Sequence, residues 1–156
     1  MSENKVSGLT VRIAKKGDMK EIRRLWADAK VRSAESFLDH TARRCTSVEH
    51  CCFIALSGQR AVGYAACTTD KSRVWVGVIL VDVAESAKEV VSLLLTGIES
   101  LLGNGLSHVS VPCCEGTEMH SCVRANGYVG YGMSVEGEDG LTGGRMIGEV
   151  LIRFLP

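Results

Sequence analysis

The sequence predicts an α/β (α+β) fold with a single mixed, mostly antiparallel sheet and helices on both faces. Several short runs alternate apolar and polar residues, which is typical of half-buried strands. Longer stretches repeat apolar residues about every 3.6 positions, which is typical of helices packed on a sheet. The helical stretches alternate with groups of strands along the chain, and this order favours one sheet covered by helices.

Length and charge limit the organisation and the partners. The chain has 156 residues, of which 46% are hydrophobic and 23% charged, and a chain of this size folds around one core without disulfides or metals. We expect a flexible N-terminus over residues 1–8 and one domain over residues 9–156. The 18 basic and 18 acidic side chains give a net charge of zero, so we expect no nucleic-acid partner.

The cysteines and the apolar runs predict a cytoplasmic protein. The seven cysteines are an odd number without regular spacing, which favours a reducing compartment. The first residues contain no apolar segment of the kind found in secretory signals. The longest apolar run, Val74–Val83, is about half as long as a membrane-spanning helix, so we expect no membrane partner.

The N-terminal half predicts a strand, a helix and three antiparallel strands. Leu9–Ala14 alternates as a strand, and Asp18 and Glu21 have the spacing of a capping box at the start of a helix over residues 18–32. Residues 33–50 have no clear period and are interpreted as a short helix and a loop. The strands that follow are Cys51–Ser57, Ala61–Thr68 and Arg73–Val83, separated by the turns Gly58–Arg60 and Thr69–Ser72.

The C-terminal half predicts two helices and three strands. Ala87–Leu102 has the clearest helical period and is followed by the stop signal Gly103–Gly105. The remaining elements are a strand over Val109–Val111, a short helix over Thr117–Ala125 with the C-cap Asn126–Gly127, and a hairpin of Tyr128–Val135 and Arg145–Phe154 around the loop Glu136–Gly144.

Three segments carry a family resemblance. They are an opening strand and helix over Val11–Trp26, a central strand ending in Ile79–Asp82 before a long helix, and the closing turn Ala125–Tyr128. With the strand order, they resemble the GNAT superfamily of acetyl-CoA-dependent N-acyltransferases over nearly the whole chain, Leu9 to Phe154. The resemblance implies the acyl-CoA N-acyltransferase fold, acetyl-CoA as co-substrate, and acetyl transfer to a primary amine of a small molecule or protein.

The resemblance also implies where the co-substrate binds. In GNAT proteins the fourth strand parts from the fifth, and its backbone pairs with the pantetheine arm; by position this role falls to Ile79, Leu80 and Val81. The next loop usually reads Arg/Gln-x-x-Gly-x-Gly/Ala, because glycines let the backbone approach the pyrophosphate. The residues at these positions here are Ser86, Ala87, Lys88, Glu89, Val90 and Val91.

This loop departs from the family pattern because it contains no glycine. Glu89 places a negative charge where a pyrophosphate would lie, while Lys88 could offset that charge and Ser86 could donate to an anion. Alternatively, Ser86 and Glu89 form an ordinary capping box at the start of a helix that binds no ligand.

The position of the family's general acid is also changed. Many GNAT proteins use a tyrosine on the short helix to reprotonate the CoA thiolate, and counting back from Gly127 places Val123 there. Valine donates no proton. Cys122 is our first candidate for the acid, with Ser121 and His120 as its neighbours. The alternatives are that Cys122 is a buried small hydrophobe and that His120 faces solvent.

Candidates for the general base are carboxylates near the central strand, because an amine must lose a proton to act as a nucleophile. Asp82 and Glu85 flank the expected cleft, and Glu115 follows the fifth strand. Glu49 and His50 could face the acceptor. Each is equally well explained as a solvated group at a strand end.

The adjacent cysteine pairs do not favour a metal site. Zinc ligands usually follow a C-x₂₋₄-C spacing, and neighbours on a strand, such as Cys51 and Cys52, point to opposite faces. A redox-responsive role for Cys113, Cys114 or Cys122 is a further hypothesis.

Two questions about partners stay open. The altered loop and the valine at the acid position also fit a degenerate GNAT-fold binding or assembly module without catalysis. The acceptor, a small-molecule or peptide amine, is not identified, because residues 32–50 carry no motif. The strand Met146–Phe154 could pair between subunits of a homodimer.

Overall fold

The computed structural model of the chain describes residues 4–6, 8–28, 50–138 and 145–156. Within them the chain forms eight strands and three α-helices. The strands are β1 (Asn4–Val6), β2 (Leu9–Ile13), β3 (His50–Ser57), β4 (Arg60–Asp70), β5 (Arg73–Val81), β6 (His108–Cys113), β7 (Val129–Glu138) and β8 (Arg145–Phe154). The helices are α1 (Met19–Asp28), α2 (Ala87–Glu99) and α3 (Glu118–Ala125), with a 3-10 turn at Lys16–Asp18 before α1.

The strands form one sheet in the order β1-β2-β3-β4-β5-β6-β8-β7. Every neighbouring pair is antiparallel except β5 and β6, which run parallel. Such a connection between parallel strands needs a crossover, and α2 supplies it. The predicted mixed, mostly antiparallel sheet is therefore confirmed.

Two apolar cores lie on opposite faces of this sheet. Helix α1 packs Ile22, Leu25 and Trp26 on one face, which we call the α1 face. Helices α2 and α3 pack on the other, larger core. Gly63 of β4 lets α2 approach closely, because a Cβ there would overlap Val90. The predicted arrangement of helices on both faces is confirmed, and none of the described helices has the length and apolar character needed to cross a membrane.

The structure corrects several local predictions. Asn4–Val6 pairs with β2, within the segment for which the sequence predicts a flexible N-terminus. The predicted capping box between Asp18 and Glu21 is wrong, because the Asp18 carboxylate accepts the Lys15 N–H at 2.7 Å. The Glu21 carboxylate accepts the Ala61 N–H at 3.0 Å.

Element ends also differ from the predictions. Strand β4 continues to Asp70, so the turn to β5 is confined to residues 71–72 rather than the predicted Thr69–Ser72. Strand β6 is longer than predicted and includes Pro112, whereas α2 ends at Glu99 rather than Leu102. The predicted short helix within residues 33–50 and the end of the first helix lie outside the described residues, apart from His50.

Candidate active site

A cleft opens between β5 and β6. The two strands pair only through Arg73/His108, Val74/Val109 and Trp75/Ser110. Strand β5 then continues to Val81 and β6 to Cys113 without further pairing between them. Pairing with β4 skips Gly77, which marks a bulge in β5 just after the last shared pair.

The backbone of β5 presents alternate residues to the cleft. The Asp82 N–H donates to the Val62 carbonyl at 2.9 Å, so this amide faces β4. Backbone polar groups of successive strand residues point in opposite directions. The N–H and C=O of Leu80 therefore face β4, and those of Ile79 and Val81 face the cleft. Of the predicted pantetheine contacts, the geometry favours Ile79 and Val81 and argues against Leu80.

The start of α2 lies immediately after this strand. Ser86 is the N-cap, and its Oγ accepts the Glu89 N–H at 3.5 Å. The N–H groups of Ala87 and Lys88 lie in the first turn of the helix, where amides have no partner within the helix. The side chains of Lys88 and Glu89 are exposed.

The other predicted loop residues have a packing role. Ala87, Val90 and Val91 are buried in the core under α2. Their side chains cannot reach an anion, so only backbone groups of this turn and the Lys88 side chain are placed to bind one. A helix N-terminus favours an anion, whereas the exposed Glu89 carboxylate opposes one.

Asp82 is the buried centre of an ion network on the α1 side. Its side chain is 1% exposed and lies 2.8 Å from Arg60 and 3.3 Å from Arg24. Its second oxygen accepts the Ala84 N–H at 2.9 Å. Arg24 also donates to the Ala61 carbonyl at 2.6 Å and pairs with Glu21. The network ties α1 and β4 to the loop that precedes α2.

These contacts determine the ionisation of Asp82. Burial by itself raises the pKa of the carboxyl, but the hydrogen bonds from Ala84, Arg60 and Arg24 outweigh burial and hold the pKa below its usual range. A carboxylate that is fully paired and weakly basic is a poor proton acceptor. The geometry therefore argues for a positioning role of Asp82 and leaves the half-buried Glu85 as the candidate base from this loop.

Helix α3 brings the predicted acid candidates over β6. Thr117 caps its start by accepting the His120 N–H at 3.2 Å. Val123 and Cys122 are buried in the core of the α2 and α3 face, and Ser121 is exposed. Cys122 has the burial expected for a small hydrophobic residue.

The buried thiol of Cys113 is held in its protonated form. Burial, with smaller contributions from Cys114, Glu149 and Cys122, raises the pKa of Cys113 to about 12. Thiolate chemistry requires the opposite shift, which argues against the redox hypothesis for this residue. No disulfide forms among the cysteines that the structure describes. Its described residues also contain no group of three potential metal-ligating side chains.

His120 pairs with a carboxylate that the sequence analysis did not identify. Its Nε2 lies 2.9 Å from Oε1 of Glu149 on β8, and the two side chains are 8% and 30% exposed. The prediction that His120 faces solvent is therefore wrong. The sequence contains a signal for this contact. Glu149 lies two positions before the buried Leu151, and residues two apart on a strand point to the same face, so the carboxylate points towards the core.

Ser110 lies at the vertex of the cleft. Its side chain is 1% exposed, and its Oγ has no hydrogen-bond partner among the described residues. Because its neighbours Val109 and Val111 face α2 and α3, Ser110 points to the α1 face. There it lies beside Trp75, its register partner on β5. The Arg73 guanidinium lies over the Trp75 ring, 4.8 Å from the ring centroid.

Solved structures define the class of this fold. It is the fold of the GNAT acetyltransferases, although no protein-family model and no curated protein matches the chain. An acetyltransferase of GNAT family from Streptococcus pneumoniae aligns with a TM-score of 0.70 and 13% identity over 94% of this chain and 99% of that chain.

Two further structures have named activities or ligands. The ribosomal-protein-S18-alanine N-acetyltransferase from Escherichia coli aligns with a TM-score of 0.74 and 11% identity, over 94% of this chain and 93% of that chain. The PaiA N-acetyltransferase from Thermoplasma acidophilum, in complex with coenzyme A, aligns with a TM-score of 0.71 and 8% identity, over 94% and 99%. At these identities the likeness establishes the fold.

Proposed function

We propose that the chain is an N-acetyltransferase that moves the acetyl group of acetyl-CoA to a primary amine of a small molecule or a protein. The observation that carries this proposal is the parting of β5 from β6. It leaves the N–H and C=O groups of Ile79 and Val81 facing a cleft instead of a strand. Buried backbone groups need partners, and an extended arm with amides, such as pantetheine, supplies them as an added strand does.

The cleft also suits the chemistry of acetyl transfer. The amine nitrogen attacks the thioester carbon, and negative charge develops on the carbonyl oxygen. The Val81 N–H points into the cleft and is our candidate donor to that oxygen. Fixed backbone donors and correct placement of the two reactants account for much of the rate enhancement in such reactions.

The pyrophosphate would lie at the start of α2. The Ala87 and Lys88 N–H groups and the Lys88 side chain are its proposed partners, with Ser86 as the cap that orders the turn. The absence of glycine and the exposed Glu89 make this a divergent member of the fold class. We infer weaker CoA binding than a glycine-rich loop would give.

The acceptor approaches from the α1 face in this proposal. Ser110 supports that direction, because a buried hydroxyl without a partner is costly unless a ligand or a water satisfies it. A hydroxyl at the vertex suits the amine or the first amide of a peptide. The E. coli neighbour acts on a ribosomal-protein alanine, so a protein N-terminus is a reasonable first acceptor. The cytoplasm, which contains acetyl-CoA and such acceptors, is the proposed location.

Isothermal titration calorimetry with CoA and acetyl-CoA tests the proposal. We expect both to bind, and ADP, which has the pyrophosphate but no pantetheine arm, to bind at least tenfold more weakly. The matched variant Lys88→Gln should weaken CoA while leaving folding unchanged. Absence of CoA binding at millimolar concentration would contradict the proposal and favour a binding module that has lost the co-substrate. CoA binding without acetyl transfer to any amine would favour a CoA-binding module instead.

A further inference from the structure

His120 and Glu149 lie beside the strand that forms one wall of the cleft. Glu149 is the register partner of Cys113, the last residue of β6. Paired residues on neighbouring strands point to the same face, so the carboxylate and the Cys113 side chain both face α3. The His120–Glu149 pair therefore lies over the end of β6 that has parted from β5.

The neighbouring strand makes room for this carboxylate. Gly130 of β7 has no side chain, and a Cβ there would lie 2.6 Å from Oε2 of Glu149. The backbone of Gly130 does not need a positive φ, so conformational freedom does not explain the glycine. A Cβ at this position would instead require the Glu149 carboxylate to shift.

One ring nitrogen of His120 is available for proton transfer. Nε2 is held by Glu149, whereas Nδ1 has no hydrogen-bond partner among the described residues. Val123 lies three positions further on and therefore on the same helix face as His120. Both are buried, so the imidazole belongs to the face of α3 that covers the cleft wall.

The other proton donors at this wall are less suitable. Cys113 is a deeply buried thiol and a weak acid, and Cys122 is packed in the core. Histidine is the side chain that most often transfers protons as a general acid or base. The Glu149 carboxylate on its far nitrogen fixes the orientation of the ring.

We propose that His120 is the general acid that protonates the CoA sulfur and that Glu149 is the positioning residue that holds its ring. The proposal rests on the acetyl transfer proposed above. It assigns to His120 the proton transfer for which we first considered Cys122.

One proton moves from His120 to the CoA sulfur in the proposed step. When the tetrahedral intermediate collapses, the bond between carbon and sulfur breaks and its electron pair moves to sulfur. Sulfur takes the proton from Nδ1 of the imidazolium, and Nε2–H stays donated to Glu149. The amine nitrogen has released one proton to water, and the neutral imidazole takes one proton from water, so no net proton is lost from the enzyme.

Histidine ¹⁵N NMR tests this contact without knowledge of the acceptor. The signals are recorded with CoA and with desulfo-CoA, which lacks only the sulfur, and His120 is assigned by its absence in His120→Gln. We expect the Nδ1 signal of His120 to shift with CoA and to stay in place with desulfo-CoA. The signal of His108, which lies at the paired end of β6, should be the same with both ligands.

Two variants test the role of Glu149 and of the space at Gly130. In Glu149→Gln the response of His120 to the sulfur should fall at least twofold while the CoA dissociation constant changes less than twofold. Gly130→Ala should also weaken the response of His120 to the sulfur. The matched control Gly17→Ala, at an open surface position, should leave that response unchanged.

The outcomes separate this inference from the proposed function. If neither CoA nor desulfo-CoA binds the wild type, the proposed function fails. If both bind and shift His120 equally, the histidine does not contact the sulfur, and the acid assignment is overturned while CoA binding stands.

Discussion

The two walls of the cleft both bury polar groups, but they satisfy them differently. On the β5 side, Asp82 receives hydrogen bonds from Arg24, Arg60 and Ala84. On the β6 side, Ser110 has no partner within the described residues, and His120 uses one ring nitrogen. A completed network stabilises one arrangement of the chain, whereas incomplete hydrogen bonding at a cleft leaves groups for a ligand. We therefore infer that the polar groups on the β5 side stabilise the fold and that those on the β6 side act on the ligands.

The largest effect is expected for His120→Ala. General acid catalysis typically contributes about 100-fold or more, so we expect kcat to fall about 100-fold with little change in the KM for acetyl-CoA. Steady-state assays of CoA release, with a peptide bearing an N-terminal alanine as acceptor, measure this.

Chemical rescue distinguishes proton transfer from a structural defect in that variant. Imidazole should restore at least a tenth of the lost activity, and pyrrole, which has the same shape without the basic nitrogen, should not. The control His108→Gln should keep wild-type kcat. Rescue by both additives would show that His120 only fills space.

The second prediction concerns the β5 side of the cleft, where the Asp82 carboxylate is fully hydrogen-bonded. Removing one partner of a fully buried ion pair costs about 3–5 kcal/mol, and because Arg24 and Arg60 stay partly in water we expect Asp82→Asn to cost about 2 kcal/mol. Thermal unfolding should shift downwards by about 4–8 °C for a chain of this length. The kcat of the folded variant should change less than threefold. A loss of about 100-fold in kcat without loss of stability would make Asp82 the general base.

The pH dependence of this cost follows from the lowered pKa of Asp82. A carboxyl whose pKa is lowered by folding contributes stability above its unfolded pKa, about 3.9, and loses that contribution as pH falls through the folded value. The stability difference between wild type and Asp82→Asn should thus be constant above about pH 5. It should shrink below about pH 4, as urea unfolding at several pH values would show.

The third prediction concerns Ser110, on the β6 side of the cleft. Ser110→Ala removes a buried hydroxyl without a partner, so the free energy of unfolding should stay within about 0.5 kcal/mol of wild type or rise. The KM for the amine should increase about 3–10-fold, the value of one hydrogen bond. A stability loss without a KM change would mean that Ser110 has a structural partner and would weaken the contrast between the walls.

The smallest effect is expected at the start of α2. Glu89→Gln removes a negative charge from the first helical turn beside the proposed pyrophosphate. A charge at a helix N-terminus is worth about 0.3–1 kcal/mol, so CoA affinity should increase about 2–5-fold at low salt and less at high salt. Calorimetry at two salt concentrations measures this. Glu115→Gln, at another exposed carboxylate, is the control.

The sequence predicts the sheet because strand alternation and helical period are local properties. The position of the cleft follows from the GNAT resemblance, which is carried over to the strand before α2 by its place in the chain. It does not predict the partners of Asp82, since Arg24 is 58 positions away and Arg60 is 22 positions away. Only the folded sheet brings these side chains together.

The same reasoning explains why the sequence does not predict the contact between Glu149 and His120. Its contact with His120 spans 29 positions and depends on the pairing of β8 with β6 and on the missing side chain at Gly130. The register of a strand depends on its turns and pairing partners as well as on its own hydrophobic pattern. The sequence alone therefore pointed to Cys122, which lies on the same helix, before it pointed to His120.

The proposed function depends most on binding of the pantetheine arm to the parted edge of β5. Amide hydrogen exchange with and without CoA measures this directly, residue by residue along β5. We predict that CoA slows exchange at Ile79 and Val81, whose amides face the cleft, and leaves the amide of Leu80, which faces β4, unchanged. Equal protection of all three amides, or none, would contradict it.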